Sequence, residues 1–200
     1  MLCTKSIPEV CIYFDGVLMR ANRTIKVSNK VHHPFKSPKC RPFAFRRSDG
    51  SFDFHLEHLL RHEEHLLTLF KNETLTCKIG ILHLFPSIPT SQIKAQIEDS
   101  GLQGLIIVGF GGGYMMTKRS VLDLFQSKAK EILMVLISQS FPEEPVRRDT
   151  SEMLAKSGIL SGADLTLPSA VAKMALVLNE NWDFEEKKRQ LTMNWEGEIS

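Results

Sequence analysis

Residues Gly104-Leu105-Ile106-Ile107-Val108-Gly109-Phe110-Gly111-Gly112-Gly113-Tyr114 run through four branched apolar side chains into a string of glycines. A run that is apolar at every position, rather than at alternate ones, is a strand covered on both faces. A second such run, Ile132 to Ile137, follows a stretch with helical spacing, Lys118 to Lys130, in which Val121, Leu124 and Phe125 face inward. Upstream, Ile79 to Phe85 is apolar and stops at Pro86-Ser87, and Pro89 to Ser100 is helical with Ile93 and Ile97 one turn apart. Downstream, residues 149–157 read as a short helix and Phe184 to Met193 as a last one. Between them, Leu167 to Leu178 is a helix with Thr166 at its N-cap and Pro168 in its first turn. Strands alternating with helices predict an α/β fold: a small parallel sheet, flavodoxin-like, covered on both sides. At least three β-α units fall between residues 78 and 180.

The first quarter of the chain reads differently. Val10 to Phe14 and Val17 to Met19 flank Asp15-Gly16, the pattern of a β-hairpin with a type I′ turn. An apolar hairpin with no sheet is marginal in water and its open edge invites aggregation. The opening is therefore expected to be the interior of a domain rather than its beginning. Residues 28–50 hold Pro34, Pro38 and Pro42 among many basic residues and read as an irregular connection. Residues 54–70 show helical periodicity, with Leu56, Leu59, Leu60 and Leu67 on one face.

Composition narrows the function classes. Of 200 residues 42% are hydrophobic and 24% charged, enough for a packed core, and the net charge of +2 gives no electrostatic case for a nucleic-acid partner. The four cysteines, Cys3, Cys11, Cys40 and Cys77, make no C-x-x-C pair, so neither a zinc ribbon nor a redox motif is expected. No secretory leader is read at the N-terminus, and no apolar run reaches the roughly 20 residues of a membrane span. A cytoplasmic protein with free thiols and no membrane partner is the expectation.

Two places have the residue types for chemistry. The loop Gly109–Tyr114 follows a strand and precedes a helix, where open α/β sheets bind ligands. Its spacing is neither G-x-G-x-x-G nor a P-loop, so it reads as backbone turning where bulkier residues would clash. His55, His58, His62 and His65 would share an arc of ~80° on a helix at ~100° per residue. They read as a boundary face beside the leucines, without the H-E-x-x-H spacing of a zinc protease, so no metal and no cofactor are expected. No G-x-S-x-G elbow and no recognisable catalytic cysteine occur.

Two longer stretches carry a resemblance. Pro8 to Val27, and above all Arg20-Ala21-Asn22-Arg23-Thr24-Ile25-Lys26, is similar to the R-G-N-R-T-x-K segment of cytosolic-type L-asparaginases, and Phe35-Lys36-Ser37-Pro38 to the F-x-S-P that follows it. Ser157 to Thr166, followed by Ala170 to Met174, resembles the family's G-V-I-x-G-x-D-M-T-x-E-A-x-x-K-L, and Trp195-Glu196-Gly197-Glu198-Ile199 resembles L-R-G-E-(M/L)-T. Leu84 to Ile88 and Gly104 to Gly113 match further segments, so the resemblance covers almost the whole chain in order. The asparaginase part of animal lysophospholipase-like proteins is equally near.

The resemblance implies hydrolysis of L-asparagine to aspartate and ammonia by a threonine nucleophile. The family carries that chemistry in T-G-G-T-I and H-G-T-D-T motifs and a lysine of its N-terminal domain. Neither motif occurs in these 200 residues, so no catalytic residue is assigned. The implied division is 1–28 as the end of the N-terminal domain, 29–75 as a linker with one helix and 76–200 as the C-terminal domain. In family oligomers the loop after the second C-domain strand reaches a neighbour's active site; here Tyr114 stands where its Asn is expected, and is the one substrate-binding candidate. Val108 replaces a common Arg, and Ser138 to Pro145 replaces a glycine-rich segment, at a neighbourhood used for regulatory asparagine binding. The first reading is thus an inactive asparaginase fragment, homo-oligomeric like the family. The alternative is a non-catalytic partner or regulatory subunit of a full-length asparaginase, and a third is unrelated binding through the histidines or the glycine loop.

Overall fold

The computed structural model describes residues 6–29, 34–60, 75–98, 101–111, 115, 118–139, 153–154 and 156–200. Strands β1 (Cys11–Phe14) and β2 (Val17–Arg20) form the expected hairpin, with Phe14 opposite Val17. Asp15 at φ 47° and Gly16 at φ 80° are both left-handed, as a type I′ turn requires. A 3-10 turn over Ala21–Arg23 leads to β3 (Ile25–Lys26), which pairs antiparallel with β4 (Phe35–Lys36). Strand β5 (Ala44–Arg46) then returns to β2, and β6 (Phe52–Phe54) pairs with β5, giving a four-stranded antiparallel sheet of order β1-β2-β5-β6.

The region read as an irregular connector therefore contains strands. The prolines sit between strands of two or three residues, too short for a period-2 pattern to show. The helical reading from residue 54 also gives way: Phe54 ends β6 and residues 57–58 are a turn. Leu56 and Leu59 still face inward, against Leu18, Phe43 and Ala44, because a turn can present the same three-residue spacing as a helix. Residues 61–74, including Leu67, His62 and His65, lie outside the described residues.

The second half follows the expected alternation closely. Strands β7 (Ile79–His83), β8 (Gly104–Gly109), β9 (Leu133–Ser138) and β10 (Leu160–Ser161) form a parallel sheet in the order β10-β9-β8-β7. Helices α1 (Thr90–Ile97) and α2 (Arg119–Lys128) cover one face, and α3 (Leu167–Asn179) and α4 (Phe184–Thr192) the other. Alternation along the strands sends Leu105, Ile107, Met134 and Leu136 toward α1 and α2, and Ile106, Val108, Leu133, Val135 and Ile137 toward α3 and α4. That is why these strands are apolar throughout. Thr166 caps α3 by accepting from the Ser169 amide, with proline in the first turn, as expected. The two-residue strand β10 was too short to read. Among the described residues no helix is long and apolar enough to cross a membrane.

The apolar residues form two cores on the faces of the parallel sheet and a third, of Leu18, Phe43 and Ala44 with their neighbours, under the antiparallel sheet. Each of these clusters draws its residues from one half of the chain. Phe125, fully buried beneath α2, tests the main core: Phe125→Ala is expected to cost about 3–5 kcal/mol in urea unfolding, since the cavity cannot close.

Candidate functional site

Four strand ends lie side by side at the carboxyl edge of the parallel sheet. The Leu84 amide donates to the Val108 carbonyl, the Gln139 amide to Gly109 and the Gly162 amide to Leu136, each at 2.8–2.9 Å. The Ser138 hydroxyl donates to the Gly111 carbonyl at 2.9 Å, and the Ser161 hydroxyl accepts from the Ala163 amide at 3.2 Å. This edge presents backbone and two hydroxyls, each with the backbone bond just given. It is built to position a loop or hold a ligand; a nucleophile needs a neighbouring base, and these bonds supply none. Tyr114, Gly112 and Gly113 lie outside the described residues, as do residues 140–152. Val108 is buried among the α3 and α4 side chains, with 3% exposure, and presents no polar group to this edge.

The histidine face does not assemble as a helix face at the described positions. His55 follows β6, 3.3 Å from the Arg41 guanidinium and edge-on to Phe45, and the exposed His58 ring is 3.9 Å from Glu57. Among the described residues no three His, Cys, Asp or Glu side chains are grouped to hold a metal.

The densest polar constellation lies elsewhere, where the end of β2 and the following 3-10 turn meet the last residues of the chain. Arg20, 6% exposed, clasps the Glu9 carboxylate through Nε and Nη2 and donates to the His58 carbonyl at 2.8 Å and the Gly197 carbonyl at 3.3 Å. Its guanidinium lies 5.1 Å from the centre of the Phe43 ring. Arg23, 2% exposed, donates to the Asp164 carboxylate at 2.6 Å, the Glu198 carbonyl at 2.7 Å, the Asp164 carbonyl at 3.3 Å and the Ser200 hydroxyl. Between them the Asn22 side-chain amide donates to the Glu196 carbonyl at 2.7 Å, while the Asn22 backbone carbonyl accepts from the Ser169 hydroxyl. Beneath the tail, Lys173 pairs with Glu198 at 2.5 Å and lies 4.5 Å from the Trp195 ring centre. Burial pushes the Asp164 carboxyl upward, but the hydrogen bonds from Arg23 and Ser200 and the charge of Arg23 outweigh it and hold it at about 2. Burial likewise acts against the Glu198 carboxylate, and Lys173 with nearby amides reverses it, so its pKa is lowered.

Sequence reasoning passed over this junction. Its signal was present: the two stretches that resemble asparaginase segments at opposite ends of the chain, Arg20 to Lys26 and Trp195 to Ile199, are partners in space. Charged residues ending an otherwise apolar hairpin also demand buried partners.

Comparison with known proteins supplies a family. A glutaminase/asparaginase C-terminal domain model matches residues 78–191. The chain is 27% identical to an L-asparaginase of Dirofilaria immitis over 198 residues, 97% of this chain and 33% of that protein. It is 29% identical to a 60 kDa lysophospholipase of Mus musculus over 197 residues, 97% of this chain and 34% of that protein. The chain thus spans about a third of the length of these relatives. The crystal structure of L-asparaginase I from Vibrio cholerae superposes with a TM-score of 0.80 at 24% identity, covering 97% of this chain and 58% of that one, which shows a shared fold.

The junction sets a pH dependence. A carboxyl held at about 2, below its ordinary 3.8, contributes stability above pH 4 that is lost as pH falls toward 2. Discounted for solvent screening, the Asp164 share is on the order of 1–2 kcal/mol. Urea unfolding between pH 6 and pH 2.5 is expected to show a smaller loss in Asp164→Asn than in the parent chain.

Proposed function

Since this chain belongs to the glutaminase/asparaginase C-terminal domain family, we propose that it is the C-terminal portion of an L-asparaginase-type amidohydrolase that does not turn over asparagine with these 200 residues alone. One observation carries the reading: neither T-G-G-T-I nor H-G-T-D-T occurs in the sequence. Acyl transfer needs an activated hydroxyl together with donors for the developing oxyanion. In this reading the substrate class is L-asparagine, the setting is cytoplasmic, and the loop through Tyr114 serves a neighbouring subunit's site in a homo-oligomer. We place the N-terminal portion through β6 rather than ending it at residue 28, because β5 pairs with β2.

A second reading, a non-catalytic partner of a full-length asparaginase subunit, is favoured by one feature. Strand β1 is an edge of its sheet, and Val10, Tyr13 and Phe14 beside it are 80%, 42% and 39% exposed. An unprotected apolar edge is a surface for another chain.

The purified 200-residue protein is expected to release no more ammonia from asparagine than its heat-inactivated control. Turnover above that control contradicts the first reading. Co-purification with a full-length asparaginase, without activity of its own, selects the second.

A further inference from the structure

Among the described residues the three apolar cores do not merge across the chain. Leu18, Phe43, Ala44 and the residues packed on them all precede residue 60, and both cores of the parallel sheet begin at Ile79 or later. Between the two halves the polar side chains converge on one place. Arg20, Asn22 and Arg23 reach the carbonyls of Gly197, Glu196 and Glu198 in turn, so three consecutive residues of the tail are each gripped by a side chain from the hairpin end. The tail is in turn fixed to the parallel-sheet half: the Ser200 amide donates to the Asp164 carboxylate at 3.0 Å, and Lys173 holds Glu198 from α3. Lys39 adds a bond to the Leu165 carbonyl at 3.3 Å. The tail is therefore bonded to both halves, beside the direct bonds from Arg23 to Asp164 and from Ser169 to the Asn22 backbone carbonyl.

We propose that residues Glu196–Ser200 form a strap that fastens the antiparallel sheet onto the parallel-sheet domain. Its release lets β1, β2, β5 and β6 open as one unit while the parallel sheet stays folded. The physical basis is the kind of contact at the seam. Apolar burial inside each half is non-directional and survives a change in how the halves sit. The seam rests on charged and directional bonds whose partners regain water when it opens. Such a seam is a natural boundary between cooperative units. Gly197 is the point where the strap leaves no room for a side chain beside its holder. Its φ is +73°, and a Cβ there would lie 2.7 Å from Arg20 Nη1 and 2.8 Å from Cζ. A side chain at this position is strained and pushes the guanidinium off its carbonyl, leaving the parallel-sheet cores untouched.

Hydrogen–deuterium exchange on the full 200-residue protein tests the strap, using Gly197→Ala and, separately, Asn22→Ala, which frees the Glu196 carbonyl and leaves Ile199 in the parallel-sheet core. In both, amide protection in β1 and β2 is expected to fall by roughly tenfold or more, while that in β8 and β9 stays within about twofold. Equal loss in both sheets would mean one cooperative unit and would overturn the proposal. Unchanged protection in β1 and β2 would overturn it too. If Gly197→Ala does not fold at all, the Asn22→Ala pattern decides by the same two outcomes.

Discussion

A guanidinium cannot be taken out of water unless its charge is matched and its donors are used, and in this chain Arg23 is 2% exposed. The demand is met by the Asp164 carboxylate, two backbone carbonyls and the Ser200 hydroxyl, with only Nε left without a partner. Because these acceptors come from the start of the Thr166-capped helix segment and from the end of the chain, one side chain fixes three stretches that are far apart in sequence. Arg20 does the same for Glu9, His58 and Gly197. Breaking a buried pair of this kind by removing one partner costs about 3–5 kcal/mol, since the other charge is stranded. The position of the antiparallel sheet on the parallel one follows from these matched charges.

The parallel-sheet half stands on a different footing. Its strands are apolar on both faces because helices cover both, and its carboxyl edge gathers the Gly109–Gly111 turn, Ser138 and Ser161, whose hydroxyls bond to backbone groups of the neighbouring turns. That is the structure of a scaffold that presents a loop. It agrees with membership of a family whose matched model is a C-terminal domain. The polar junction and the sheet edge are separate features, one setting how the halves are joined and the other what the parallel sheet can offer a ligand or a neighbour.

What the sequence disclosed follows physical scale. Apolar runs gave β8 and β9, a mostly apolar stretch gave β7, and the Thr166-Leu167-Pro168 start gave α3, because in each case local chemistry and tertiary burial demand the same residues. The Asp15-Gly16 turn was legible because few residues accept two consecutive left-handed conformations. Strands β3 to β6, two or three residues each, carry no periodicity of their own and were hidden among prolines and basic residues. Leu56 and Leu59 imitated a helix because inward-facing turn residues can share its spacing. The junction was invisible for another reason: Arg20 and Arg23 look like ordinary surface charge until their partners, about 175 residues away, are brought beside them.

The account rests on the coupling between Arg23 and Asp164, and a double-mutant cycle measures it directly. Amide protection of β2 is read in the parent chain, Arg23→Gln, Asp164→Asn and the double variant at pH 7. The account predicts a coupling of about 1.5–3 kcal/mol, the second substitution costing little once the first is made. Additive losses, with coupling near zero, would contradict it and would leave the seam held by something other than the buried charge pair.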